Sequence, residues 1–111
     1  MSPLSDADML AKYKEVLADW KFSGFIRWKP RAAEALRKHL PGCTQKAIAE
    51  LMYKLQDAVD QTPETRDEYR HRYSHHYDFR IPVGGQRIYI ETVLDYAEND
   101  ATVTVVNIKP A

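Results

Sequence analysis

The stretch Tyr77-Asp-Phe-Arg-Ile-Pro-Val-Gly-Gly-Gln-Arg-Ile-Tyr-Ile-Glu-Thr-Val-Leu-Asp-Tyr96 decides the fold. Tyr77, Phe79, Ile81 and Val83 alternate with His76, Asp78, Arg80 and Pro82. Successive side chains of a strand point to opposite faces, so a period of two marks a strand with one buried side. Gly84-Gly85 then offers the two residues of a tight hairpin turn. On the return strand, Gln86 to Tyr96, Ile88, Ile90, Thr92 and Leu94 face one way, and Arg87, Tyr89, Glu91, Val93 and Asp95 the other. Glu98-Asn99-Asp100 makes a second turn, and valine-rich Thr102 to Lys109 a third strand. Strands joined by such short turns form an antiparallel meander, with one face on other structure and the opposite face partly open.

Upstream the period changes to that of helices. Ser5 is a good N-cap with Asp8 three residues on, and Met9, Tyr13, Val16, Leu17 and Trp20 line one helical face, predicting a helix from Ser5 to Trp20. It either packs on the core or serves as an accessory arm. Phe22-Ser-Gly-Phe-Ile-Arg-Trp28 reads as an edge strand. Pro30 suits a first helical turn, Arg31 to Leu40 are strong helix formers, and Pro41-Gly42 stops them. Thr44 caps a further helix to about Asp60, with Ile48, Leu51, Met52, Leu55 and Val59 on one face. Gln61 to Thr65 reads as a loop. The expected architecture is α+β: an accessory helix (1–21) and an αα-hairpin packed on one face of a C-terminal antiparallel sheet of three to four strands. The whole, 1–111, is one domain, with 22–111 as its α+β core.

Composition sets bounds on that domain. A chain of 111 residues can bury a core without staples, and a lone cysteine, Cys43, excludes an internal disulfide and fits a reducing compartment. No apolar run approaches the ~20 residues of a membrane span, and the opening Met1 to Asp6 lacks the basic and apolar regions of a signal peptide. The expected location is the cytoplasm, without membrane contact. Formal net charge is zero. Yet residues 21–54 carry eight basic against two acidic side chains, a balance of +6, and residues 91–111 carry four acidic against one basic, a balance of −3. Such an uneven distribution permits phosphate-backbone binding, self-association or two solvated faces.

The face opposite Tyr77, Phe79 and Ile81 is the place to look for chemistry. It should present His76, Asp78 and Arg80, then Arg87, Tyr89 and Glu91, with Asn107 and Lys109 from the last strand. Cleavage of RNA by attack of its 2′-hydroxyl needs a base, an acid and cations on the pentavalent phosphorane, and no metal. Arginine suits the last role because its planar fork matches two phosphate oxygens. The competing reading makes Arg80, Arg87 and Glu91 cross-strand ion pairs on a solvated sheet. The run Tyr69-Arg-His-Arg-Tyr-Ser-His-His-Tyr77 holds three of the four histidines and interleaves bases with aromatics, a pattern that grips single-stranded nucleic acid. Its His75 and His76 can move protons near neutral pH. No acidic or cysteine partner stands at metal-motif spacing from them, and glycine-rich phosphate loops and HExxH, GxSxG or paired CxxC motifs are absent, so neither metal nor cofactor is expected.

The order strand, helix hairpin, three-stranded meander resembles the RelE/ParE superfamily of type II toxins. Phe25 to Arg37 looks like the opening of that family, a short strand running into a basic helix. A narrower likeness is to its MqsR branch. Arg66 to Arg70 is similar to the branch's basic, tyrosine-containing segment, Ile88 to Val93 to its central strand with a functional tyrosine, and Val105 to Lys109 to its last strand with a functional lysine. The resemblance implies functional roles for Arg70, Tyr89 and Lys109. It implies a metal-independent endoribonuclease of the toxin type, with RNA or ribosome and a small cognate antitoxin protein as partners. Residue chemistry adds Arg80 and Arg87 as phosphate ligands, and a His71, His75 or His76 imidazole, or Lys109, as the proton carrier. The rival expectation is a non-catalytic protein-binding module on the same scaffold.

Overall fold

The computed structural model describes residues 6–62, 75–97 and 100–111. The helical periodicity of the N-terminal segment produces α1 (Asp6–Ala18), whose Met9, Tyr13, Val16 and Leu17 are buried together. Of the two roles open to this helix, it takes the first: those side chains belong to the central core. Its expected cap, Ser5, lies outside the described residues. Strand β1 is only Ile26–Trp28, because the chain at 19–25 turns where a longer strand was expected.

Pro30 opens α2 (Pro30–His39), where its fixed φ and missing N–H cost nothing, and Arg37, Lys38 and His39 sit at the negative end of the helix dipole. Gly42, at φ +87°, makes the turn to α3 (Gln45–Lys54). Thr44 caps α3: the Ala47 amide donates to Thr44 Oγ1 at 3.0 Å. The helix ends at Lys54, short of the expected Asp60. A single 3₁₀ turn (Gln56–Ala58) follows, and Asp60–Thr62 then forms a strand, β2, where a loop was expected.

The meander is as the alternation predicts: β3 (His76–Val83), β4 (Gln86–Ala97) and β5 (Asp100–Pro110), with Gly84 and Gly85 at φ +59° and +84° in the hairpin. The sheet differs from expectation in two ways. It has five strands in the order β1-β5-β4-β3-β2, and it is mixed, because β1 runs parallel to β5. β1 and β5 are not consecutive: α2 and α3 carry the chain from β1 to β2 at the opposite edge, and the antiparallel strands β2 to β5 bring it back, so that β5 runs in the direction of β1.

The helices cover the face carrying Tyr77, Phe79, Ile81, Ile88, Ile90, Leu94, Val103, Val105 and Ile108, all buried in one cluster with Leu36, Ile48 and Met52. Tyr13 ties α1 to that face. Its ring stacks on Tyr77 at 4.2 Å between centroids, and its hydroxyl lies 2.6 Å from Thr92 Oγ1. Thr92 donates its own proton to the Tyr77 carbonyl, so Tyr13 is the donor to Thr92.

One irregularity re-aims the last strand. Glu91 pairs with Asn107, but Thr92 pairs with Val105, leaving Val106 as an extra residue on β5. A bulge of this kind shifts the alternation by one. Val103 and Val105 therefore share the core face with Ile108, while Asn107 and Lys109 turn to the opposite side.

Candidate functional site

On the side of the sheet away from the helices, register brings three residues into one rung. Arg80 on β3 is directly opposite Tyr89 on β4, and Tyr89 is directly opposite Lys109 on β5. Side chains paired in this way stand about 4.5–5.5 Å apart at Cβ. Their ends converge further: the Arg80 guanidinium carbon is 4.9 Å and Lys109 Nζ 5.4 Å from the centre of the Tyr89 ring. Both cations thus sit against the electron-rich phenol, an attraction worth roughly 0.5–1 kcal/mol each at an exposed site.

Around this rung lies an open depression of about 690 Å³, lined by Arg80, Arg87, Tyr89, Glu91, Lys109 and the terminal Pro110 and Ala111. Arg87 reaches it from the neighbouring rung, and its carbonyl accepts the Ala111 amide at 2.9 Å. Arg80 and Lys109 are exposed, Tyr89 is half-buried, and Glu91 is only 7% exposed. The result is a carboxylate set low among three cations and a phenol. Arg80 also meets Asp60 of β2 at 3.4 Å, with both side chains half-exposed or more. The ion-pair reading of Arg80 therefore holds in part, but an exposed pair of this kind is weak and readily exchanged.

Comparison of the chain with protein-family models, with curated proteins and with solved structures gives no significant match.

The two nominated histidines that are described, His75 and His76, do not join the rung. His76 shares the face of Arg80 but is fully buried four residues away, roughly 13 Å along an extended strand. It sits where that face is closed, alongside Asp78, Val93, Thr102, Thr104 and Val106, all buried. His75 precedes β3 and stacks on Tyr77 at 6.4 Å between centroids, on the side turned to the helices. Neither His75 nor His76 can hand a proton to a group bound over Tyr89. Arg70 lies outside the described residues, as do His71 and most of the aromatic–basic run around it. Of the nominated side chains, Arg80, Arg87, Tyr89 and Lys109 are brought together. Glu91 completes the group. Its place on the face of Arg87 and Tyr89 follows from alternation, while proton transfer was expected of a histidine or of Lys109.

Proposed function

We propose that the chain is a metal-independent endoribonuclease of the toxin type, binding RNA across the depression over Tyr89. The observation that carries this reading is the Arg80–Tyr89–Lys109 rung, with Glu91 beside it. Three cations on one side of a sheet suit a phosphodiester and its more highly charged phosphorane. In this reading the Glu91 carboxylate takes the 2′-hydroxyl proton as the 2′-oxygen bonds to phosphorus. The bond from phosphorus to the 5′-oxygen breaks, and Lys109 gives that oxygen its proton. The products are a 2′,3′-cyclic phosphate and a 5′-hydroxyl. Arg80 and Arg87 hold the non-bridging oxygens, and the Tyr89 phenol orients the group.

The element order, a strand, a helix pair and then the meander, supports the likeness to the RelE/ParE superfamily. So does the adjacency of Tyr89 and Lys109, which the MqsR-like motifs nominate together. On this reading the partners are RNA or the ribosome, a small cognate antitoxin binds the protein, and the cytoplasm is its location. The zero net charge favours a second reading, a non-catalytic protein-binding module on the same scaffold.

Incubation with a labelled single-stranded RNA in EDTA separates the two. We expect cleavage to cyclic-phosphate ends, falling by a factor of about 100 or more in Glu91→Gln and in Arg80→Ala/Tyr89→Phe, the scale of general acid–base and electrostatic contributions. Intact RNA with the folded wild-type chain, together with a stoichiometric protein complex by light scattering, would establish the second reading instead.

A further inference from the structure

A second cluster lies at the other side of the molecule. Trp20, Lys21 and Phe22 in the turn after α1, Trp28 of β1 and Lys46 in the first turn of α3 line a groove of about 300 Å³. Phe22 is 63% exposed, a large aromatic ring that folding leaves in water at the groove. Lys21 Nζ stands 5.7 Å from the Trp20 ring centre. Lys21 and Lys46 are the cations of its lining, and all eight lysines and arginines between residues 21 and 54 are exposed. Of the two acids in that span, Glu50 is drawn 3.7 Å from Lys54. The positive end of the α3 dipole adds to the same potential.

We propose that this groove binds one nucleotide unit of a single-stranded nucleic acid, the base stacking against the Phe22 and tryptophan rings and the phosphate meeting Lys21 and Lys46. Aromatic rings beside flexible cations are the means by which proteins hold single strands without reading sequence, because every base has a π-face. The groove volume is at the lower end of the ~300–1,000 Å³ of small-ligand pockets, enough for a base and phosphate and too little for a peptide helix. An acidic peptide would meet the lysines and leave the rings idle. The site stands on its own groups and does not depend on chemistry at Tyr89.

Trp20 and Trp28 are the two tryptophans of the chain, so tryptophan emission reports this groove and is blind to the depression over Tyr89. The probe is a short single-stranded oligothymidylate of deoxynucleotides, which lacks the 2′-hydroxyl and cannot be cleaved by its attack. Saturable quenching of tryptophan emission is expected. Phe22→Ala should weaken it roughly fivefold or more, and Phe22→Leu, which keeps apolar bulk without a π-face, should do the same. Lys21→Glu/Lys46→Glu should abolish it, while Arg80→Ala/Lys109→Ala leaves it unchanged even if RNA cleavage is lost. Emission that stays constant when the labelled strand is bound by anisotropy overturns the proposal, since the strand then sits elsewhere. Equal quenching by polyglutamate overturns it in favour of a general acidic-peptide surface. Quenching that follows protein concentration alone overturns it in favour of self-association.

Discussion

The Tyr13 phenol shows how much one buried hydroxyl decides. It is fully buried, and desolvation pushes its ionisation far up from 10.0, with the Thr92 hydrogen bond opposing that rise. Tyr13→Phe removes one donor and leaves Thr92 still bonded to the Tyr77 carbonyl, so about 0.5–1.5 kcal/mol of stability should be lost. Thr92→Val strands the Tyr13 hydroxyl in the core and should cost about 1–3 kcal/mol. The double variant should cost less than the two added together, because the stranded hydroxyl is gone; urea unfolding of the four proteins measures the coupling. The pH dependence has a definite sign. Below 10.0, both folded and unfolded chains keep the phenol proton and Tyr13 contributes in full. Above it the unfolded chain releases a proton that the native state retains, so the contribution of Tyr13 falls by up to ~1.4 kcal/mol per pH unit. The penalty of Tyr13→Phe should therefore shrink as pH rises past that value, and a penalty constant into alkali would contradict burial of the phenol.

At the scale of elements, legibility followed length and periodicity. The alternation of β3 and β4 and the helical stripes of α1 and α3 were readable because each repeats over several residues against one buried face. Three features were legible in part or not at all. β1 was readable as an edge strand, but it keeps only three residues of the aromatic stretch, and its parallel pairing is not encoded in hydropathy. β2, Asp-Gln-Thr, has no apolar residue, since an edge strand of three can be held by its ladder to β3 alone. The bulge at Val106 hides within a run of valines, where a shift of one leaves the pattern looking unbroken. That bulge can be tested through adjacent residues. With it, Ile108 is core and Lys109 is surface, so Ile108→Ala should cost about 2–4 kcal/mol and Lys109→Ala less than ~0.5. Unbroken alternation from Val103 and Val105 would put Lys109 on the core side and Ile108 opposite it. Calorimetric melting of the two variants distinguishes the registers, and a costly Lys109→Ala beside a neutral Ile108→Ala would refute the bulge.

For the whole molecule, charge is local rather than global: sixteen basic side chains balance sixteen acidic ones. Any attraction to a polyanion must come from where the cations stand. Residue type in sequence located Arg80, Arg87, Tyr89 and Lys109, because alternation and the bulge put them on one side of neighbouring strands. The same density of residue types misplaced His75 and His76, because closeness in the chain is not closeness to the rung. A fully buried His76 also shows that the face away from the described helices is closed over part of its length. The consequence for binding is quantitative. A single strand loses about 0.7 in the slope of log affinity against log salt for each phosphate contact removed. If Arg80 and Lys109 each neutralise one phosphate, the double alanine variant should bind RNA with a slope smaller by ~1.4 than wild type. Asp60→Asn, which releases Arg80 from its 3.4 Å partner, should preserve or steepen the slope. Salt titrations of uncleavable 2′-O-methyl RNA by fluorescence anisotropy measure all three. Equal slopes in wild type and double variant would mean that the rung carries cations for the sheet's own sake, with Tyr89 as their resting place, and that the polyanion, if bound, is held by the basic segment at 21–54.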